Sequence, residues 1–345
     1  MTTEKLPKRI ASQVAFANGP ANEQLGIDVA AHLGVDLWPM EFTRFADSEV
    51  RVRYEESIRG KLVIAFQSHA AVSGRSTADA FHTHLLMLDA ATREDTERVI
   101  MVAPYFMGAR QDRSTRPREA VTGALNFDLI GTAGITDFMG VDLHEERLYN
   151  AVKPANAHRI SAQGLLSRMF AKIIEEHPDI NFKVVSPDKG HSKVAEKHAD
   201  DLGVGFVDLS KIRPHDKEEV SHQEYVEGLD GFGALMLEDM IGTASTLKSA
   251  SQTMDNSGAV VQYVAATHFV SSAETAERIE GTNITKVFVT DTLPISSRDE
   301  QILGENGSNQ LVVISAAEII ADGLKRVLMR YSVSEEHGPS TYGNT

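Results

Sequence analysis

The stretch RVIMVAPYFMGARQDRSTRPR, residues 98–118, joins a short apolar run to a long polar loop. Its first seven residues, 98–104, are rich in Val, Ile and Met and have the length of a strand buried on both faces. Four arginines follow within residues 105–118, and Asp112 is the only acid among them. Ligands of open parallel sheets bind beyond the carboxyl ends of the strands, so a polar loop in this position marks a candidate site.

Outward from this stretch, similar apolar runs alternate with helix-like periodic segments along the whole chain. The further candidate strands are residues 13–17, 61–67, 138–141, 182–185, 204–207, 234–237, 260–265, 287–289 and 311–314. The candidate helices between them include residues 22–33, 77–91, 161–176, 192–202 and 245–254. This alternation predicts an α/β fold in which mainly parallel sheets are flanked by helices.

The length of 345 residues is enough for two domains at about 100–200 residues each. The stretch AVKPANAHRI at residues 151–160 is polar and contains Pro154, and a new helix-like segment begins at Ser161, so we expect the chain to restart here. We therefore expect domains at residues 1–157 and 158–332. The tail at residues 333–345 is polar and contains Pro and Gly, so we expect it to be disordered.

Net charge and the absence of cysteine narrow the classes of function. Lys and Arg total 34 against 49 Asp and Glu, which gives a formal net charge of −15. Such a chain is not expected to bind nucleic acid polymers, although a few local cations can hold a small phosphorylated ligand. With no cysteine, disulfides, thiolate zinc sites and cysteine nucleophiles are excluded. No apolar run has the length of a signal-peptide core or a membrane helix, so we expect a cytoplasmic protein.

The four arginines after residue 104 suit phosphate oxygens, because the planar guanidinium group can donate two parallel hydrogen bonds. They form a positively charged island in an acidic chain. The same composition also occurs in solvated surface loops that bind nothing. The residues alone leave both interpretations open.

Two further polar clusters follow predicted strands. D-L-H stands at residues 142–144, and S-P-D-K-G-H stands at residues 186–191. Asp and His at strand ends can hold the divalent cation that phosphoryl transfer normally needs, or they can cap the next helix. His82 and His84 lie within a helix-like segment instead, and we expect them at a helix surface or an interface rather than as ligands.

The segment E-D-M-I-G-T-A-S-T, residues 238–246, links a predicted strand to a predicted helix. Small residues and hydroxyls at a helix N-terminus direct backbone N–H groups towards an anion. The two acids before the loop are suited to hydrogen-bond sugar hydroxyls. An ordinary helix cap is the alternative interpretation of the same residues.

The complete set of motifs resembles the ribose-phosphate pyrophosphokinase family. The matching stretches are FADSE at residues 45–49, ARQDR at 109–113, DLH at 142–144, SPD at 186–188, KIR at 211–213, EDMIGTAST at 238–246, ATH at 266–268 and TDTLP at 290–294. Each motif is short, but their order and spacing match the family from about residue 13 to residue 330.

This resemblance implies two phosphoribosyltransferase-like domains, the first with ATP-binding motifs and the second with a ribose-phosphate loop and a catalytic flap. It implies an enzyme, a ribose-phosphate diphosphokinase. Such an enzyme transfers the diphosphoryl group of ATP to the anomeric hydroxyl of ribose 5-phosphate, forming phosphoribosyl pyrophosphate and AMP. The implied cofactor is Mg²⁺, and the implied assembly is a homo-oligomer, either a dimer or a hexamer.

The resemblance also implies a role for each matching residue. These are Phe45, Asp47, Glu49, Arg110, Gln111 and Asp112 for ATP, His144 and Asp188 for Mg²⁺, Glu238 and Asp239 for ribose hydroxyls, Thr243, Ala244, Ser245 and Thr246 for the 5-phosphate, and Lys211 and Arg213 on a mobile flap near the transferring group. The cations fit such a reaction, because phosphoryl-type transfer depends on positioning and on neutralising negative charge.

The chain departs from the family pattern around the acceptor. Many members read D-D-M-x-D-T-x-G-T, whereas here Glu238 replaces the first Asp, Gly242 the third, and Ser245 the usual Gly. After D-L-H the chain reads EERLYN at residues 145–150, where the family usually has a stretch with Gln and Phe. The catalytic positions are therefore matched while the acceptor pocket is altered.

These departures leave four functions open. The first is transfer to ribose 5-phosphate, and the second is the same transfer to a larger acceptor such as ADP-ribose. The third is a non-catalytic regulatory subunit of the same fold, against which the presence of Lys211, Arg213, His144 and Asp188 argues. The fourth is a phosphoribosyltransferase, against which the N-terminal ATP motifs argue.

Overall fold

The computed structural model describes residues 5–72, 74–151, 155–187, 190, 192–211 and 225–329, except for the side chains of residues 146, 151 and 211. The strands are β1 (Val14–Asn18), β2 (Met40–Arg44), β3 (Val50–Tyr54), β4 (Leu62–Phe66), β5 (Arg98–Ala103), β6 (Asp137–Val141), β7 (Asn156–Ile160), β8 (Phe182–Ser186), β9 (Gly205–Asp208), β10 (Gly233–Ile241), β11 (Val261–Phe269), β12 (Ile284–Thr290) and β13 (Leu311–Ile314). The helices are α1 (Lys8–Ala11), α2 (Glu23–Leu33), α3 (Thr77–Thr92), α4 (Thr122–Thr132), α5 (Gln163–Glu176), α6 (Ser192–Leu202), α7 (Ser245–Asn256), α8 (Thr275–Glu280), α9 (Ser297–Leu303) and α10 (Ala317–Met329).

The chain forms two compact units. Unit 1 holds the chain up to Ser161, Thr292–Pro294 and the segment that begins at Ser315. Unit 2 holds Ala162–Asp291 and Ile295–Ile314. The first break therefore falls close to the domain boundary expected at residue 157, but α10 belongs to unit 1 and not to the second domain that was expected to reach residue 332. The tail expected at residues 333–345 lies outside the described residues.

Unit 1 is built on a parallel sheet with the strand order β1-β4-β5-β6-β7. The inner strands β4 and β6 are buried along their whole length, and apart from Asp137 at the start of β6 their sequences are apolar, as expected for strands buried on both faces. Phe127 of α4 and Phe138 of β6 pack in the core against Phe106, which belongs to the loop after β5. The packing of Phe106 therefore anchors the start of this loop in the core, just before its polar residues.

No strand was expected at residues 151–160, where the sequence indicates that the chain restarts, but Asn156–Ile160 form β7. The strand pairs with β6 at the edge of the sheet and is only partly buried, so it keeps a polar sequence. The apolar face of α10 packs against β7 and α2, and Gly323 allows this close approach. A Cβ atom at Gly323 would lie 2.0 Å from Cδ1 of Ile160.

The antiparallel hairpin of β2 and β3 was also absent from the expected strands. Its second strand reads VRVRY, a strict alternation that is typical of a half-buried strand. Its partly buried apolar side chains pack onto the core of unit 1, and the hydroxyl of Tyr54 donates to the carbonyl oxygen of Met87 on α3 at 3.2 Å. This contact fixes the hairpin that carries the FADSE motif.

Unit 2 is built on a parallel sheet with the order β13-β12-β11-β10-β8-β9. Alternate residues of its central strands fill two separate cores, one on each face. The chain runs outward from β8 to β9 and then returns to add β10 on the other side of β8. Open α/β sheets bind their ligands at the carboxyl ends of the strands beside such a reversal, which here are β8 and β10.

The parallel α/β fold with flanking helices that the sequence predicts is thus confirmed in both units. Within the described part of the chain, no helix has the length and apolar character needed to cross a membrane.

Candidate functional site

The motif residues of the described chain lie at the carboxyl ends of strands or at a hairpin tip. In unit 1, FADSE, ARQDR and DLH follow β2, β5 and β6. In unit 2, SPD begins at the last residue of β8, KIR follows β9, EDMIGTAST begins on the last part of β10, ATH lies near the end of β11 and TDTLP begins at the end of β12. Asp188 and Arg213 lie outside the described residues, and of Lys211 only the backbone is described. Among the described residues, no group of three or more His, Asp or Glu side chains is arranged to hold a metal ion.

The hairpin tip at residues 45–49 presents Phe45 to the solvent, with 46% of its surface exposed. The turn is closed by backbone hydrogen bonds from Phe45 to Glu49 and from Ser48 to Phe45, both 2.9 Å long. The carboxylate of Asp47 accepts from the N–H group of Glu49 at 3.1 Å. The guanidinium of Arg51 lies 5.7 Å from the centre of the Phe45 ring. Because these hydrogen bonds hold the turn, the exposed ring of Phe45 can stack on a flat ligand.

The loop after β5, residues 104–121, is called the arginine loop below. Gly108 turns it with φ of +83°, and a Cβ atom there would lie 2.7 Å from Nδ2 of Asn126. Gln111 is bound through its backbone, because its N–H donates to Gly108 and its carbonyl accepts from Gly123. Arg110, between these anchored residues, is exposed. These hydrogen bonds therefore hold the loop backbone on both sides of Arg110, and the exposed guanidinium of Arg110 is available to an anion.

The distal part of the arginine loop is folded around Glu119. Its carboxylate accepts from the backbone N–H groups of Thr115 and Arg116, each at 2.8 Å, and from the hydroxyl of Thr115 at 2.9 Å. The hydroxyl of Thr115, followed by these two backbone groups, lowers the pKa of Glu119. Arg113, Arg116 and Arg118 remain exposed.

The divergent EERLYN segment lies directly against this loop. Arg147 forms ion pairs with Asp112 at 3.1 Å and with Glu145 at 3.0 Å. The hydroxyl of Tyr149 donates to the carbonyl oxygen of Gly140 at 3.0 Å and holds the segment to β6. His144, just before the segment, is exposed at the carboxyl end of β6. Two motifs that are 35 residues apart thus meet through Asp112 and Arg147.

In unit 2, the acidic end of β10 leads into α7 through residues 242–244, called the β10–α7 loop below. Glu238 and Asp239 are half-buried on the last part of β10. Ala244 has a left-handed backbone with φ of +56° and provides no side-chain cap for α7. The first N–H groups of a helix have no partner within it, so this uncapped end suits an anion.

Side chains from outside the motif brace the β10–α7 loop. The guanidinium of Arg278 donates to the carbonyl oxygen of Thr243 at 2.8 Å. The hydroxyl of Thr275 donates to the carbonyl oxygen of Gly242 at 2.6 Å. The hydroxyls of Thr243 and Ser245 lie 3.0 Å apart. Sequence reasoning missed Arg278, because its spacing from Glu274 indicates only an ordinary ion pair on a helix surface.

A polar groove continues from Ser245 along one face of α7. Its volume is about 580 Å³, and it is lined by Ser245, Lys248, Ser249, Gln252, Thr253, Asn256 and Arg278. Two of these side chains are cationic. A groove of this size and charge can hold a polar, anionic extension of a ligand seated at the start of α7.

Lys211 ends a short 3-10 turn, Leu209–Lys211, that follows β9 directly. The carboxylate of Asp208 fixes the beginning of the turn, because it accepts from the N–H and the hydroxyl of Ser210 at 2.9 Å and 2.6 Å. The hydroxyl of Ser192, at the start of α6, donates to the same carboxylate at 3.0 Å. The backbone therefore leaves the sheet at a defined point before the KIR motif.

Comparison with known proteins gives consistent results. A family model described as the N-terminal domain of ribose phosphate pyrophosphokinase matches residues 14–134, and one described as a phosphoribosyl synthetase-associated domain matches residues 181–336. The ribose-phosphate pyrophosphokinase of Mycobacterium tuberculosis is 33% identical over 92% of this chain and 93% of its own length. That of Aquifex aeolicus is 32% identical over 93% and 98%. The crystal structure of phosphoribosylpyrophosphate synthetase from Mycobacterium smegmatis is similar with a TM-score of 0.79 and 31% identity, over 92% of this chain and 99% of that one.

Proposed function

The chain belongs to the ribose phosphate pyrophosphokinase family of transferases, and from that premise we propose that it transfers the diphosphoryl group of ATP to ribose 5-phosphate. The products are phosphoribosyl pyrophosphate and AMP. The observation that carries this proposal is the β10–α7 loop, which joins two half-buried carboxylates to an uncapped helix N-terminus. Sugar hydroxyls and a phosphate are the two kinds of group that a ribose phosphate presents.

For the acceptor, Glu238 and Asp239 accept hydrogen bonds from the ribose hydroxyls. The 5-phosphate binds to residues 243–246, where backbone N–H groups and the hydroxyls of Thr243, Ser245 and Thr246 converge at the start of α7. This arrangement holds the sugar at both ends, which fixes the direction in which its anomeric hydroxyl points. Such orientation is a large part of catalysis when two substrates must meet in line.

For the donor, the exposed ring of Phe45 stacks on adenine while Asp47 and Glu49 accept from its polar edge. Arg110 binds the phosphates through its guanidinium, and Gln111 and Asp112 line the same position. The arginine loop suits this role because its backbone is anchored on both sides of Arg110. Bidentate hydrogen bonds from arginine to phosphate add direction as well as charge.

Mg²⁺ is the proposed cofactor, and His144 with Asp188 would hold it. Magnesium commonly keeps several waters and binds through one or two carboxylates together with substrate phosphates, so Asp188 fits this ion and His144 would add a nitrogen ligand. When bound, the ion would neutralise phosphate charge. Lys211 and Arg213 would add cations at the transferring group and help to exclude water from it.

The direct test is the release of AMP from ATP and ribose 5-phosphate in the presence of Mg²⁺. We expect one AMP for each phosphoribosyl pyrophosphate, with no AMP when the acceptor or the metal is left out. Release of ADP, or of AMP without acceptor, would contradict the proposal. The absence of any AMP with every acceptor would instead favour a non-catalytic regulatory subunit.

A second candidate is the same transfer to a larger ribose 5-phosphate ester such as ADP-ribose. It is favoured by the groove that continues from Ser245 past Lys248 and Arg278. A substituent on the 5-phosphate would extend along this groove, and its second phosphate would meet these cations. Ribose 5-phosphate itself would reach only the start of the groove, at Ser245.

Parallel assays with ribose 5-phosphate and ADP-ribose separate the two acceptors. If ADP-ribose is the acceptor, Lys248→Glu lowers kcat/KM for it and leaves the reaction with ribose 5-phosphate unchanged. Lys197→Glu, at an exposed position of α6 away from the groove, is the matched control. AMP release with ribose 5-phosphate alone contradicts the second candidate.

We also propose that the protein acts in the cytoplasm as a homo-oligomer, either a dimer or a hexamer, because the resemblance implies such assemblies. Sedimentation analysis of the purified protein tests this, and a single monomeric species at micromolar concentration would contradict it.

A further inference from the structure

Two buried histidines lie behind the arginine loop. His69 follows β4 and His84 belongs to α3, and neither exposes any surface. His82, two residues before His84, is exposed. Both were expected at a helix surface or an interface, but His84 lies in the core of unit 1. Fully buried imidazoles need a partner for each nitrogen, since an unsatisfied polar atom in the core is costly.

The four ring nitrogens form one continuous chain of hydrogen bonds. Nδ1 of His69 accepts from the backbone N–H of Met107 at 3.2 Å. Nε2 of His69 and Nδ1 of His84 are 3.1 Å apart, and Nε2 of His84 lies 3.0 Å from the carbonyl oxygen of Ala65. The chain therefore runs from the arginine loop through two rings to β4.

Only one distribution of protons satisfies all these contacts. Because the N–H of Met107 must donate, Nδ1 of His69 carries no proton and Nε2 donates to His84. His84 then donates from Nε2 to Ala65, and both rings are neutral. Burial, followed by the neighbouring His84, holds the pKa of His69 well below its usual range, and burial lowers the pKa of His84 to about 4. The acceptor that faces Met107 is therefore permanent near neutral pH.

The peptide of Met107 is held from the other side as well. Nδ2 of Asn126 on α4 donates to the carbonyl oxygen of Met107 at 3.0 Å. The backbone N–H of His69 donates to the carbonyl oxygen of Tyr105 at 3.0 Å. Phe106, between these two residues, is buried with its ring 5.2 Å from that of His69. Residues 105–107 are thus fixed by backbone contacts on both sides and by a ring in the core.

We propose that His69, oriented by His84, is a positioning residue that fixes the peptide of Met107 and thereby directs Arg110, Gln111 and Asp112 towards the nucleotide. The inference rests on the proposed function, because these three residues are assigned to ATP there. His69 itself touches no substrate in this proposal. It acts through a backbone that would otherwise move, since Gly108, the next residue, tolerates many conformations.

The test compares His69→Phe with His69→Asn, and His82→Phe is the matched control on the exposed face of α3. Phenylalanine keeps a ring in the core but removes the acceptor, whereas the side-chain oxygen of asparagine restores an acceptor near the position of Nδ1. We expect His69→Phe to speed amide exchange in residues 105–112 and to raise KM for ATP about tenfold, with kcat much less affected. His69→Asn should recover much of this loss, and His82→Phe should change neither quantity.

A second variant guards against a failure of His69→Phe to fold. Asn126→Leu removes the donor to the carbonyl oxygen of Met107 but keeps the number and branching of the side-chain heavy atoms, so it should speed exchange in the same residues and raise KM for ATP. Unchanged exchange and unchanged KM in a folded His69→Phe protein would overturn the inference. Equal losses in His69→Phe and His69→Asn would overturn it too, because the acceptor would then not matter.

Failure of the proposed function would look different. In that case the wild-type protein releases no AMP with ribose 5-phosphate, while the exchange of residues 105–112 still responds to His69→Phe. Binding of ATP, measured by calorimetry in the presence of Mg²⁺, then replaces KM as the second readout.

Discussion

The arginine loop and the β10–α7 loop occupy equivalent places, each at the carboxyl end of a central parallel strand, but they are built in opposite ways. The arginine loop is long, is anchored near its start and presents exposed guanidinium groups. The β10–α7 loop spans only residues 242–244 and presents the first turn of a helix. One therefore offers side-chain charge and the other offers backbone N–H groups.

This difference has a physical basis in what each substrate needs. A polyphosphate carries several charges that shift during transfer, and long side chains can follow them. A sugar phosphate that must stay in one orientation is better held by a rigid backbone, because little conformational entropy is lost on binding. Substitutions should therefore act through lost charge in the arginine loop and through altered backbone geometry in the β10–α7 loop.

The largest effect is expected at Lys211, which belongs to neither loop. If both loops only hold the substrates, the charge that develops during transfer needs a further cation, and Lys211→Ala should lower kcat by about 10²–10³. Lys193→Ala, at an exposed position of α6, is the control. Normal turnover in Lys211→Ala would mean that the arginine loop already supplies all the cations that the reaction needs.

The second largest effect, a rise in KM for ATP, is expected from a substitution in the arginine loop. Arg110→Ala removes a charge-assisted hydrogen bond to phosphate, which should raise KM for ATP about 10- to 100-fold and leave KM for ribose 5-phosphate nearly unchanged. Arg116→Ala, in the distal part folded around Glu119, should change KM for ATP less than about threefold. An equal rise of KM for ATP in both variants would mean that the arginines of the loop attract ATP by their overall positive charge, and that Arg110 makes no specific contact with it.

Much of this arrangement follows from local sequence, because strands buried on both faces and motifs at their ends leave local patterns. The expected strands are present in both sheets, and the described motif residues lie at strand ends or at a hairpin tip. The edge strand β7 was missed because one of its sides faces solvent, which removes the apolar run that marks its neighbours.

The supports of the two loops were not predictable, because each joins residues that are far apart in sequence. His69 contacts Met107 across 38 residues, and Arg278 contacts Thr243 across 35. No periodicity or motif spacing reports such pairs. The burial of His84 depends on which face of α3 meets the sheet, and the weakly amphipathic sequence of this helix does not fix that face.

A third prediction tests whether the stability of unit 1 can be changed without affecting nucleotide binding by the arginine loop. At the amino end of β6, Asp137 is buried and pairs with Arg98 at 2.7 Å and His158 at 2.9 Å. Burial alone would raise the pKa of Asp137, but hydrogen bonds from His158, Arg98 and Thr136 outweigh it and lower the pKa to about 2. The carboxylate therefore contributes about 2 kcal/mol to the free energy of unfolding above pH 4, and this contribution is lost as the pH falls towards 2.

Asp137→Asn should lower the free energy of unfolding at pH 7 by about that amount or more and flatten its dependence between pH 4 and pH 2. KM for ATP should not change. Asp128→Asn, exposed on α4, is the control for a carboxylate without these partners. A change in KM for ATP in Asp137→Asn would mean that the scaffold and the loop are coupled.

A fourth prediction concerns the backbone of the β10–α7 loop. Ala244→Val places a β-branched side chain at a left-handed position, so it should lower the free energy of unfolding by about 1 kcal/mol and raise KM for ribose 5-phosphate. Ala244→Gly, which adopts this conformation readily, should keep both quantities near their wild-type values. A normal KM for the acceptor in a folded Ala244→Val protein would contradict the role of backbone geometry in this loop.

The smallest effect is expected at Arg147, although its ion pair with Asp112 is the contact that joins the divergent EERLYN segment to the arginine loop. The side chain of Arg147 is 68% exposed, so solvent and salt screen the ion pair. Arg147→Ala should therefore change the free energy of unfolding by less than about 1 kcal/mol and KM for ATP by less than about threefold. Arg147→Glu, which would add a like charge beside Asp112 and Glu145, should have a larger effect that shrinks as the salt concentration rises. If Arg147→Ala alone raised KM for ATP tenfold, the EERLYN segment would be part of the nucleotide site, and the cations of unit 1 would come from two loops acting together.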